Sequence, residues 1–227
     1  MADKKKTGNG TGRPGATKAG PAPTSKPPAD AADPAVATAP DVAVHSPLDD
    51  RPGTGADDAV LVEHPHLGKI ILRGDSADKA FRDAVEKAIG IVPPREANSV
   101  ATGKQHAILW LGPDEWLVVT PADRQRTTEA TLRQALAGQH VSVVDTSDAR
   151  TTIRLHGVRA RDVLMKGTPL DLHPREFGSG RCAQTVIARA DVLIHQRDDT
   201  PTYDIHVLCS FARYLWDWLV DAAGEFS

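Results

Sequence analysis

The sequence predicts an α+β fold of two lobes, with mixed or antiparallel sheets and flanking helices, preceded by a disordered tail. Three observations predict it. Strand-like and helix-like segments alternate along residues 58–223, but several strands come as hairpins, which favours α+β over a doubly wound parallel sheet. Two long segments place apolar residues at the helical period. The first 57 residues contain no Phe, Trp or Tyr and are rich in Pro, Ala, Gly, Thr and Asp.

The tail is the simplest element. Its five Lys and two Arg stand against seven Asp. Such a segment buries too little apolar surface to offset the entropy of ordering it, so residues 1–57 are expected to be disordered. The body, 58–223, divides into lobes at about 58–147 and 148–223, joined near Asp145–Arg150.

In the first lobe, Gly68–Arg73 reads as a strand. Ala80, Phe81, Ala84, Val85, Ala88 and Ile89 then follow the helical period. Ser76 is the expected N-cap and Gly90 the C-terminal stop. Residues 107–111 and 116–120 form two strands of a hairpin. The intervening Gly112-Pro113-Asp114-Glu115 has turn chemistry: Pro presets φ, Gly tolerates positive φ and Asp bonds nearby backbone. A polar helix at 126–137 stops at Gly138, and 141–145 is a strand.

The second lobe opens with a strand at 152–156 and a short helix ending near Lys166-Gly167. Pro169, Pro174, Gly178 and Gly180 mark an irregular connection. Strands follow at 183–188, 192–195 and 203–208. In the last helix, Phe211, Tyr214, Leu215, Trp218, Leu219 and Ala222 make one apolar stripe. Trp216 lies off that stripe and is expected to meet a second subunit.

Composition removes several function classes. The net charge of −3 provides no basic field for nucleic acid. Two cysteines, Cys182 and Cys209, make neither a disulfide framework nor a Cys-based zinc site. No apolar run reaches the roughly 20 residues of a membrane span. The Lys-rich start has no apolar segment behind it, so a cytoplasmic location is expected.

Chemistry-bearing motifs are sparse. The chain lacks a phosphate loop, a Gly-x-Gly-x-x-Gly after a strand and a His-Glu-x-x-His. The Gly178-Ser179-Gly180 stretch reads as a turn. Nine histidines are scattered, and only His64 and His66 are spaced to point the same way on a strand. Asp145-Thr146-Ser147-Asp148 suits acid–base work or a tight turn held by side-chain-to-backbone bonds. Asp198-Asp199 reads as a solvated hairpin tip. From the residues alone, no catalytic, cofactor-binding or metal-ligating constellation is assigned.

Five ordered segments carry a resemblance. They are Trp110 to Leu117, Val144 to Thr151, Lys166 to Pro174, Gly180 to Thr185, and Ser210 to Leu219. Together they resemble the pattern of sarcosine oxidase gamma subunits, across nearly all of residues 67–223. The resemblance implies a fold similar to the folate-binding aminomethyltransferase (T-protein) superfamily. It also implies membership of a complex with alpha, beta and delta subunits that demethylates sarcosine to glycine, forms peroxide and passes one carbon to tetrahydrofolate. FAD, FMN, NAD and tetrahydrofolate are implied to belong to the alpha and beta subunits, and zinc to the delta subunit. The gamma chain is then a non-catalytic partner, with Trp110, Trp116, His173, Arg175 and Trp216 expected at the alpha contact.

T-proteins carry an acidic pair in a hairpin that resembles residues 190–195 here. Ile194 and His195 fall where those acids stand, which argues against aminomethyl transfer. Two alternatives remain: a free-standing folate-binding or aminomethyltransferase-like protein, and the gamma chain of a related N-methyl amino acid oxidoreductase. A folate-binding regulator of the iron–sulfur maintenance type is weighed on Gly180-Arg181-Cys182, but Ala183-Gln184-Thr185 continues the gamma pattern instead.

Overall fold

The structure, a computed structural model, describes residues 44–54 and 57–226. Most of the expected tail, residues 1–43, lies outside them. The described part of the tail differs from the expectation, because residues 46–54 pack onto the body. Leu48, the only leucine among the first 57 residues, is 1% exposed and joins the core. Thr54 bridges to Leu61, and Ser46 donates to Glu63. One apolar side chain is enough to seat a turn when the neighbouring backbone also finds partners.

The elements run β1 (Val60–Glu63), β2 (Gly68–Arg73), α1 (Lys79–Ile89), β3 (Val100–Thr102), β4 (Ala107–Gly112), β5 (Glu115–Thr120), α2 (Gln125–Ala135) and β6 (Ser142–Asp145). After a short 3-10 turn at Ser147–Ala149 come β7 (Arg150–His156), α3 (Ala160–Met165), β8 (Arg181–Ile187), β9 (Ala190–Asp198), β10 (Thr202–Leu208) and α4 (Cys209–Ala223). One sheet has the order β3-β4-β5-β2-β6 and the other β1-β7-β10-β9-β8. Every strand pair in both is antiparallel. The fold is therefore α+β, in two lobes, as the hairpins predict.

The lobe boundary differs in one respect. β1 precedes the whole first sheet in the chain but pairs with β7 of the second, Val60 opposite His156. β1 and β3 are also strands that the sequence pattern does not mark.

Each sheet has one face covered by helices. In the first, Ile70, Leu72, Ile108, Trp116 and Val118 meet Phe81 and Val85 of α1 and Leu132 of α2. Phe81 and Trp116 stack with ring centroids 5.5 Å apart, and the Trp116 indole N–H donates to Pro94 O at 2.8 Å. The N-cap of α1 is Asp78, whose carboxylate accepts from Ala80 N at 2.8 Å. Ser76 is not the cap, because Asp75 uses its own carboxylate to close a turn onto Ala77 N just before the helix. Gly90 ends the helix in the left-handed region at φ 75°, as expected.

In the second sheet, Ile153, Leu155, Ile194, Tyr203, Ile205 and Val207 meet α3 and α4. The buried face of α4 is Ala212, Leu215, Trp216, Leu219, Ala222 and Ala223. This rotates the predicted stripe. Phe211 and Tyr214 are about 40% exposed, whereas Trp216 is 3% exposed. Small alanines let the helix lie close to the sheet, so the face they share is the one that seals. Trp218 lies beside it, its ring against Gly167.

Gly157 fixes the crossing from β7 to α3. Its φ is 121°, and a Cβ there would sit 2.3 Å from Asp58 O. Gly157→Ala is expected to cost about 2–4 kcal/mol, from unfavourable φ plus a backbone clash. Gly90→Ala, with nothing within 4 Å of the new methyl group, should cost only about 1 kcal/mol. Urea unfolding of both variants checks the ordering.

Candidate functional site

The two uncovered faces turn toward each other, so a central layer lies between the sheets. Its residues follow from strand alternation, which sends every second side chain to the opposite face. On the second sheet, Thr152, His206, Leu193 and Gln184 form one row across β7, β10, β9 and β8. Arg154, Asp204, His195 and Cys182 form the next.

The β8–β9 half of this layer is apolar. Cys182 and Leu193 pack with Leu109 and Leu117 of the first sheet. Several bonds tie the β8 side to the first sheet and the loop before it: Gln184 Nε2 donates to Leu111 O at 2.9 Å, Val100 N to Gly180 O at 2.9 Å and Cys182 N to Asn98 O at 2.9 Å, and the Cys182 thiol to Trp110 O at 3.5 Å. Burial pushes the Cys182 thiol up to about 12, so it is a packed hydrophobe rather than a nucleophile.

The β7–β10 half is polar and buried. Asp204, 2% exposed, accepts from Arg154 Nε at 2.7 Å and Nη2 at 3.0 Å, and from Arg197 Nη1 at 2.9 Å. Burial alone would raise its carboxyl. The bonds from Arg154 and Arg197 outweigh that and hold it well below the usual carboxylate range. Burial pushes His195 down to about 4 and His206 down to about 3, so both rings are neutral at physiological pH. His206 Nδ1 lies 2.9 Å from Thr152 Oγ1. From β2 comes Lys69, 0% exposed, whose ammonium donates to Leu67 O at 3.0 Å. Burial pushes this amine down to about 8.

These groups are of catalytic type, but the acid is committed to two guanidinium groups and Lys69 to a backbone carbonyl, while His206 Nε2 is buried without a partner. The carboxylate is locked by two guanidinium groups and the imidazoles are uncharged. The bonds of the acid fasten β7, β9 and β10 of one sheet; the one of these groups that titrates near neutral pH is Lys69, and it is fully enclosed.

The five residues expected at a partner contact do not converge. Trp110 and Trp116 are opposite each other on β4 and β5. Trp116 is fully buried under α1, while Trp110 is half-buried at the edge of that core. Trp216 is buried under the second sheet. This overturns the reason for placing it at a contact, since the side chain is already enclosed by its own lobe. His173 and Arg175 are exposed in the connection before β8, where His173 Nδ1 accepts from Arg175 N at 3.2 Å.

The remaining candidates resolve as turns. Asp145 accepts from Ser147 N at 2.9 Å and from its hydroxyl, while Ser147 Oγ accepts from Lys69 N. The Asp145–Asp148 stretch is thus the tight turn of the two readings. His66 takes φ 60° and is exposed, whereas His64 is half-buried with its basicity lowered by burial and then by Arg154. Among the described residues, no group of three His, Cys, Asp or Glu is placed to hold a metal ion. No described helix is long and apolar enough to cross a membrane. In the 190–195 hairpin, Ile194 faces the helix-covered core and His195 the central layer. The buried acid of that neighbourhood is Asp204, one strand away, while Asp191 of the hairpin is exposed. Its signal, polar residues alternating through Tyr203-Asp204-Ile205-His206, is the same as that of a half-exposed strand, and here both faces are buried.

Residues 73–225 match the sarcosine oxidase, gamma subunit family. The chain is 38% identical over 145 residues to sarcosine oxidase subunit gamma of Corynebacterium sp. (strain U-96), covering 63% of this chain and 69% of that protein. The corresponding protein of Arthrobacter sp. is 36% identical over 145 residues, covering 63% and 70%. Among solved structures, a chain of heterotetrameric sarcosine oxidase from Corynebacterium sp. U-96, in complex with pyrrole 2-carboxylate, superposes with a TM-score of 0.74 at 31% identity, covering 81% of this chain and 96% of that one. Glycine cleavage system aminomethyltransferase T from Bartonella henselae superposes with a TM-score of 0.53 at 19% identity, covering 73% and 46%, a likeness of fold alone.

Proposed function

The chain belongs to the sarcosine oxidase gamma subunit family, and on that premise we propose that it is the non-catalytic gamma subunit of a heterotetrameric sarcosine oxidase. The observation that carries this reading is the match to one chain of such an oxidase over 96% of that chain's length. The central layer supports it, because its acid is taken up by two guanidinium groups of the same sheet and its imidazoles are buried and neutral. In this reading the partners are alpha, beta and delta subunits, which carry FAD, FMN, NAD, tetrahydrofolate and zinc. The complex oxidatively demethylates sarcosine to glycine, with peroxide and a one-carbon unit as the other products.

Of the five contact residues expected from sequence, Trp110, His173 and Arg175 keep surface for the alpha subunit. Trp116 and Trp216 hold the two cores from which that surface is presented.

The test is co-expression of the tagged chain with the candidate alpha, beta and delta subunits. The expected result is a yellow complex that forms peroxide from sarcosine, while the lone chain is colourless and inactive. A lone chain that recovers no flavin subunit and binds tetrahydrofolate would replace this reading with that of a free-standing folate protein.

A further inference from the structure

At one end of the second sheet lies a cleft of about 470 Å³, lined by residues of β7, β8, β9 and β10 and by Pro169. One row of side chains runs through its lining, with Thr185 and Val192 of the same strands beside it. Arg150 lies opposite Leu208, and Asp191 opposite Val186. Val207 opposite Val192 brings Leu208 beside Asp191. The row is therefore Arg150, Leu208, Asp191, Val186, one residue from each of four strands, all on the same face. With strands about 4.8 Å apart, Arg150 and Asp191 stand about 10 Å apart across Leu208. Gln184 and Pro169 line the wall.

This row is unlike the rows behind it. Deeper in the layer, Asp204 is matched by Arg154 and Arg197. Among the described residues, neither Arg150 nor Asp191 has an oppositely charged group within 4 Å. Arg150 is half-buried, and after burial its nearby charge adds to the lowering of the Lys69 amine. That end of the cleft carries the charge of Arg150 near that of Lys69. Glu63, an acid close enough to act on Lys69, is occupied by Ser46 and Thr151 hydroxyls. Val186 at the other end is 37% exposed on an edge strand. Half-buried charge and open apolar surface on one floor are what a partner's surface completes.

We propose that this cleft docks a segment of a partner subunit of the oxidase, one that sets a carboxylate over Arg150, an apolar side chain over Leu208 and Val186, and a basic side chain over Asp191. The proposal rests on the gamma-subunit reading. Charge order selects the occupant: a uniformly acidic or basic segment meets a like charge at one end, while an acid–apolar–base order is matched along the row. The openness of the cleft favours a chain segment over an enclosed small molecule, since ligand pockets bury most of their guest.

The test is the tagged full chain co-expressed with the alpha, beta and delta subunits, as wild type and as Arg150→Glu, Asp191→Lys and Val186→Glu. Urea unfolding of each lone chain runs alongside. The expected result is at least a tenfold drop in recovered flavin subunits for each variant, with unfolding midpoints near that of wild type. The combination Arg150→Glu with Asp191→Lys is the second readout, because it reverses the charge order without changing net charge and should fail as completely as the single changes. Full recovery with variants that fold as wild type would overturn the cleft while leaving the gamma-subunit reading intact. Failure of wild type to recover any flavin subunit would overturn both. Dimerisation of the lone chain that Val186→Glu abolishes, or saturable binding of sarcosine to it that Arg150→Ala abolishes, would replace the partner segment with a second copy or a small zwitterion.

Discussion

Asp204→Asn is expected to destabilise the chain by about 3–5 kcal/mol, the cost of leaving buried guanidinium charge without its acid. Asparagine keeps the shape, so the loss reports charge rather than packing. Most of it comes from Arg154, which holds both carboxylate oxygens and is largely enclosed. Arg197 is nearly half exposed, and Arg197→Ala should cost under about 1 kcal/mol. Urea unfolding at pH 7.5 measures both, with the midpoint falling and the slope unchanged. Equal effects of the two variants would contradict the assignment.

The pH dependence of the wild type follows from the same layer. Asp204 is held well below its unfolded value, so its stabilisation is present above about pH 4 and disappears below it. His195 and His206 extend the loss upward. Their folded values are about 4 and about 3, against about 6.5 in an unfolded chain. Between those limits the unfolded chain binds more protons, so stability falls as pH falls below about 6.5. The midpoint should therefore start to drop while the exposed carboxylates are still ionised.

Lys69→Met is expected to act in the opposite direction. The ammonium is fully enclosed with one carbonyl as partner, and burial pushes its amine down to about 8. Unfolded, it titrates near 10.5. Between those values the unfolded chain binds more protons, so stability rises with pH through that window, by about 3 kcal/mol in all. Methionine fills a similar volume without charge. The variant should gain about 1–3 kcal/mol at pH 7 and lose the alkaline rise. Cys182 works against that rise above about pH 9, because its thiol is held protonated to about 12 in the fold. The quantity to measure is thus the difference between variant and wild type from pH 7 to 10.5. A constant difference would mean that Lys69 keeps an ordinary amine.

Much of the fold was legible because local chemistry decided it. The 107–120 hairpin follows from its Gly112-Pro113-Asp114-Glu115 turn, and α1 from its apolar period and Gly90. The misses have a common physical origin in distant partners. β1 and β3 are four and three residues long; each becomes a strand only because another edge accepts it. The face of α4 was misread because large aromatics outweigh alanines in any hydropathy stripe, whereas a close helix–sheet contact selects the alanines. Lys69, Asp204 and His206 have no sequence signature, since polar alternation signals solvent on one face and a second sheet occupies that face here. The five family segments were legible together, but burial then divided their tryptophans between cores and surface.

The pairing of β1 with β7 has a consequence for biosynthesis. Residues 68–145 contain every strand of the first sheet and both of its helices, so that lobe can close while the rest is still on the ribosome. β1 leaves the tunnel before it, yet its partner lies about 100 residues further on, about 5–20 s later at ordinary synthesis speed. During that interval an unpaired edge and the Leu48 turn wait together beside a finished domain. Cellular yield of this chain should accordingly depend on the speed at which residues 146–208 are translated, and slow codons in that stretch would favour aggregation over assembly.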